Sequence, residues 1–310
     1  MSALAALDAR LRAPAPAVRL ATLRLLLGAY AVISLLIQAP KMADFRSMDP
    51  ERFEPVGLAA VLDGALPPTL AMVLFALCIG AGCAFATGLR FAISGPAFAL
   101  LYLWVTSYRN SWGMVFHTDN LPVIHALVLG LTPAADALSL DHRAGRAREG
   151  DGRLYGWPIR LLVAITVTVY LIAGLAKLRN SGMDWADGEI LRNYIAFDCV
   201  RKIQSGSIHS PVGAWLVQYA WPFPIIGYAS LVMELGAPLS LLSAGFGRAW
   251  AICAFAFHGG VLVIMAIAFP YPLSGVAFAS LFRCERLWER PFLQPVARWL
   301  SPAAPVAPGG

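Results

Sequence analysis

The stretch Trp157-Pro158-Ile159-Arg160-Leu161-Leu162-Val163-Ala164-Ile165-Thr166-Val167-Thr168-Val169-Tyr170-Leu171-Ile172-Ala173-Gly174-Leu175-Ala176-Lys177-Leu178 is apolar for nearly its whole length and closes on a lysine. Roughly twenty such residues suit a helix that crosses a bilayer, whose hydrocarbon core is about 30 Å thick. A cation at or near that depth is costly, so Lys177 requires a reason. Two reasons compete: an anchor that snorkels to the headgroups, or a working amine that moves protons.

Outward from this stretch the pattern repeats. The 310 residues are 58% hydrophobic and only 14% charged, against about a quarter charged in a soluble domain. The chain reads as an all-α, polytopic integral membrane bundle in contact with the lipid bilayer. The length criterion predicts about eight spans, near 18–39, 66–87, 89–108, 112–135, 157–177, 223–243, 249–269 and 272–282. Gly95-Pro96 predicts a kink in the third. The domain expectation is a segment 1–17, a transmembrane domain 18–290 and a tail 291–310, the last residues of which read as disordered. The first run is too long for a signal-peptide core and is expected to stay as an uncleaved span.

The net charge of +6 is a topology signal rather than a nucleic-acid one, because the arginines gather in alternate loops. Arg10, Arg12, Arg90, Arg143, Arg146, Arg148, Arg153 and Arg248 fall on one side. On the other, Lys41, Arg46, Arg52 and Arg192 are balanced by acids such as Asp44, Glu51, Asp184 and Glu189. Both termini and the loop 136–157 are therefore expected in the cytoplasm, of a bacterial inner membrane. Lys177 then sits at the outer end of its span. In the long outer loop after it, Trp185, Ile190, Leu191, Tyr194, Ile195 and Phe197 alternate with Asp187, Glu189 and Arg192. That spacing predicts an amphipathic helix on the outer face, placed to lid the bundle.

Polar groups at membrane depth supply the other candidates. His117, Leu121 and His125 follow a helical spacing. Asp119 and Asn120 lie between them, and Pro122 would free the Thr118 carbonyl if the helix runs through. The alternative is a loop ending at Asn120, with His117 and Asp119 in water. His258, in Phe257-His258-Gly259-Gly260, needs a partner in hydrocarbon. Glu234 must be paired or protonated, and Arg24 offers itself as the partner unless it snorkels. The five cysteines, Cys78, Cys83, Cys199, Cys253 and Cys284, form no CxxC pair and read as small buried hydrophobes, so no metal is predicted. Neither H-E-x-x-H, a phosphate-binding glycine loop nor G-x-S-x-G occurs.

Ala173-Gly174-Leu175-Ala176-Lys177-Leu178, followed by Asp184-Trp185 and Gly188, resembles the "AGxxKL…DW…G" stretch of the vitamin K-dependent γ-glutamyl carboxylases. It also resembles their relatives with the horizontally transferred transmembrane (HTTM) domain. Phe257-His258 and Phe269-Pro270 are similar to the family's "FH…FP" helix. The resemblance implies a quinol of the vitamin K type as cofactor, with Lys177 as base and His258 beside it. It further implies a pocket lined by His117, Asp119, Asn120, Trp185 and Glu234, and hence a lyase or an oxidoreductase. The β-rich peptide-binding domain of the carboxylases is not expected here, which leaves a separate outer-side protein or redox partner to bring the substrate. Two rivals stand beside this reading: a quinone-linked redox protein, and a non-catalytic scaffold anchored by Lys177.

Overall fold

Where no water reaches the backbone, a chain must satisfy its own amides, and apolar runs become helices whatever their intrinsic propensity. Even the β-branched Thr166-Val167-Thr168-Val169 is helical in the computed structural model, which describes residues 13–113 and 115–301. The structure is all-helical, with no strand among the described residues. Five helices are long and apolar enough to cross a membrane: α1 (Ala17–Asp44), α2 (Pro68–Thr87), α3 (Phe91–Asn110), α6 (Arg153–Ser181) and α10 (Ala244–Met265). The predicted N-terminal arginines Arg10 and Arg12, and the predicted disordered tail beyond Ser301, lie outside the described residues. The chain forms two compact units, residues 1–162 with 283–310, and residues 163–282.

In the first unit α1 packs on α2 and α2 on α3, while α4 (Asn120–Gly130) packs on both α3 and α1. With 11 residues, α4 is only about 16 Å long, well short of a span. Its segment nevertheless follows α3 from end to end. Asp119 ion-pairs with Arg109 at the last turn of α3. Near the start of α3, a Cβ on Gly95 would meet the Gly130 carbonyl oxygen at 2.6 Å, so two hydrogens let the backbones touch. Also at that end, Asp141, in α5 (Leu140–Arg143), takes hydrogen bonds from the Phe91 and Arg90 amides at 2.7 and 3.0 Å. Turns at 131–139 complete what the short helix leaves undone. Pro96 lies inside α3, which continues through it to Asn110.

Asp141 thus caps a helix fifty residues before it, the chain reaching α3 through left-handed Gly88 (φ +65°) and Arg90 (φ +48°). Arg24, fully buried in α1, donates to the Leu138 and Ala134 carbonyls at 2.6 and 3.2 Å. The loop 45–62 folds into two 3-10 turns, fastened to α3 by Ser107 and Ser111, whose hydroxyls accept from the Leu58 and Val56 amides.

In the second unit the C-terminal part of α6 is followed by a 3-10 turn at Gly182–Trp185, then α7 (Glu189–Gln204), α8 (Pro211–Leu216) and α9 (Pro222–Leu235). The amphipathic helix predicted from Trp185 therefore starts at Glu189, where left-handed Gly188 (φ +80°) turns the chain. The sixth predicted span is the 14-residue α9 plus a 3-10 turn. The eighth is the four-residue α11 (Pro270–Leu273) with a 3-10 turn at Val276–Leu281, lying along α10 so that Phe269 meets His258 and Phe278 meets Trp250. After it comes α12 (Gln294–Leu300), in the first unit. All five cysteines are free; Cys78, Cys199 and Cys284 are buried, whereas Cys83 and Cys253 point outward, contrary to the expectation that they fill the core.

Candidate functional site

Lys177 stands near the end of α6, and its ammonium ion-pairs with Glu234 Oε1 from α9, 57 residues away in sequence. The lysine side chain is 20% exposed and that of Glu234 only 3%. Trp185 and Phe257 place their rings 5.1 and 5.9 Å from the Lys177 nitrogen, within reach of cation–π attraction. The lysine does not snorkel outward alone: it is held by an acid from a neighbouring helix. Arg24 is not that acid's partner, since carbonyl groups of its own unit take its guanidinium.

The local sequence explains how the two helices come so close. Gly174, one turn before Lys177, faces the Glu234 Cβ and Leu235, and a methyl there would stand 3.0 Å from each. The Trp185 indole N–H donates to the Ser230 hydroxyl at 3.0 Å, and that hydroxyl donates on to the Gly227 carbonyl at 2.8 Å. Gly188 lies directly against the Phe223–Pro224 backbone, where no Cβ fits. Gly174, Lys177, Trp185 and Gly188 thus share one job: each fastens α9.

A second pair lies in the same unit. His258 Nε2 is 2.7 Å from the Tyr170 hydroxyl, and its ring packs at 5.0 Å from Phe269 and 5.3 Å from Phe257. Tyr170 also meets Trp250 edge-on at 5.0 Å, and the Trp250 indole donates to the Met233 carbonyl at 2.9 Å. Two buried polar atoms in this region have no partner among the described residues, Glu234 Oε2 and His258 Nδ1. Buried polar atoms are normally satisfied, so these two stand out beside the ion pair.

Lys177, Glu234, Trp185 and His258 therefore fall in one unit, whereas His117, Asp119 and Asn120 belong to the other. The helix assumed to run through His117 starts only at Asn120. Pro122 then occupies the first turn, where a missing N–H leaves nothing unpaired. His117 and Asn120 are exposed, as the loop alternative has it. Asp119 is buried on Arg109, not in water. His125 is buried deeper in α4. Tyr170 and Trp250 were missed, because aromatic residues inside apolar runs read as core. The available signal was that Tyr170 lies seven residues before Lys177, two turns along one helical face. Among the described residues no group of His, Cys, Asp or Glu is arranged to hold a metal. A pocket of about 530 Å³ opens in the first unit between the start of α3 and the 130–148 segment, and none of the expected site residues lines it.

Against known proteins, the model of the HTTM domain family matches residues 12–288. No curated protein and no solved structure matches the chain.

Proposed function

Because the chain belongs to the HTTM domain family, we propose that it is a carboxylase-like membrane protein that deprotonates a quinol at the Lys177–Glu234 pair. The observation that carries this reading is the pair itself, a largely buried acid and amine between aromatic rings. Lys177 can accept a proton only after giving one up, and Glu234 is the acceptor in contact with it. The quinol O–H bond then breaks as a new N–H bond forms at Lys177. Glu234 Oε2 and His258 Nδ1 offer one acceptor and one ring nitrogen to the oxygens of such a ring, and Trp185 and Phe257 offer apolar faces. Tyr170 holds the His258 imidazole by its other nitrogen, so only Nδ1 is left to meet a ligand. The loop 136–157, rich in arginine, is assigned to the cytoplasm of a bacterial membrane. The Lys177 end of α6 then faces outward, where a separate protein would receive the product.

A second reading rests on the fastening of α9. If Gly174, Trp185 and Gly188 serve only to hold that helix, Lys177 serves it too, as one half of a structural ion pair. Lys177→Arg separates the two. Arginine keeps the charge and the pairing with Glu234 but does not release its proton. Membranes carrying wild type, Lys177→Arg and Lys177→Met would be assayed for quinol consumption. The proposal expects both variants to be inactive while Lys177→Arg remains folded. Wild-type turnover by Lys177→Arg would leave only the structural pair.

A further inference from the structure

We propose that α7 and α8 form a layer inserted into the headgroup region of the bilayer, with an outward apolar face that lipid covers. The argument begins at the end of α10. That helix has 22 residues, about 33 Å of length, so it crosses the hydrocarbon and its last turn marks one membrane surface. Both short helices are tied to that turn. Lys202 of α7 donates to the Met265 carbonyl at 2.6 Å. Ser210, which caps α8, donates to the Val263 carbonyl at 2.6 Å. These side chains satisfy carbonyls that a helix end leaves unpaired, and they fix α7 and α8 at that depth.

The chemistry of the outward face agrees with that position. At about 100° per residue, Ile195, Cys199 and Lys202 form the buried face of α7. The opposite face carries Asn193, Phe197, Val200, Gln204 and Arg201, all exposed. Tyr194 and Ile203 flank it, also exposed. The charge of Arg201 is paired with Asp198 at the edge of that face, 2.7 Å away. Beyond α7, Ile208 is 85% exposed and Trp221 71%, while the ring of Trp215 on α8 lies 5.2 Å from that of Tyr219, just past the helix. Tryptophan and tyrosine gather at the headgroup level of membranes because one end of the ring is apolar and the other polar. On the last turns of α10, to which both helices are tied, Leu262 and Val263 are exposed as well.

The occupant can be identified directly. The full chain would be made with p-benzoylphenylalanine at Phe197, at Trp221, or at Glu149 in the polar loop before α6, then reconstituted in phosphatidylcholine–phosphatidylglycerol vesicles and illuminated. All three positions are exposed, so none of these variants disturbs the fold. Mass spectrometry is expected to find phospholipid adducts at Phe197 and Trp221 and none at Glu149. Adducts of Phe197 to a second copy of the chain would overturn the proposal, as would the absence of lipid adducts at Phe197 and Trp221.

Discussion

Replacing Lys177 by methionine tests the Lys177–Glu234 pair most severely, because it leaves a carboxylate that is 3% exposed without the cation it pairs with. Breaking a buried ion pair by removing one partner costs about 3–5 kcal/mol, most of it from the stranded charge. Lys177 is 20% exposed, so water enters as the amine leaves, and the lower end, about 3 kcal/mol, is expected. Neutralising the acid as well should return most of that: Lys177→Met with Glu234→Gln strands only a neutral amide, at about 1 kcal/mol. Glu234→Gln alone should cost about 1 kcal/mol, because the partly exposed amine still reaches water. The double-mutant cycle should therefore show a coupling of about 3 kcal/mol, the double cost less the two single costs taken as a magnitude, at the upper end of the range for residues in contact. Thermal or denaturant unfolding of purified protein in detergent, followed by helical circular dichroism, would measure it. Equal stability of Lys177→Met and wild type, or additivity of the two changes, would show that the pair is not the fastening described here.

Two other outcomes follow from the same geometry. Gly188→Ala should lose about 1–2 kcal/mol from its left-handed backbone and more from the backbone of Phe223 and Pro224 that the methyl would displace, which the same unfolding assay reads as a loss above about 2 kcal/mol; a change within about 0.5 kcal/mol, typical of neutral surface substitutions, would contradict the contact. Burial pushes the Asp141 carboxyl up, but the Phe91 and Arg90 amides and the Arg146 guanidinium outweigh it and hold the group below its ordinary value. Its stabilisation is therefore complete above about pH 4, the unfolded value, and is lost as pH falls through the lower folded value; unfolding temperatures of wild type and Asp141→Asn should converge as the pH drops there, and parallel curves would refute it.

Hydropathy alone located the five long helices, because each holds a mostly apolar run about as long as the bilayer is thick. It handled the short fourth segment poorly. Pro122 looked like a break inside a helix when it was the start of one, and turns carry the chain over the rest of that distance. At the site, the demand that Glu234 be paired was legible, since charge in hydrocarbon has a fixed cost. Its partner was not. Arg24 and Lys177 are equally cationic in the sequence, and only the approach of α9 to Gly174 decides between them. Tyr170 was invisible for a related reason: a hydroxyl on an apolar ring declares itself only when His258 stands 2.7 Å away.

The convergence of Gly174, Trp185 and Gly188 on one helix has a bearing on inheritance. Spacing of this kind is enforced by steric fit, so a descendant that abandoned proton chemistry would still have to keep it in order to fold. In this chain Gly174, Trp185 and Gly188 form the frame, the proposed function places the chemistry on Lys177 alone, and Lys177→Arg is the substitution that touches the second without the first.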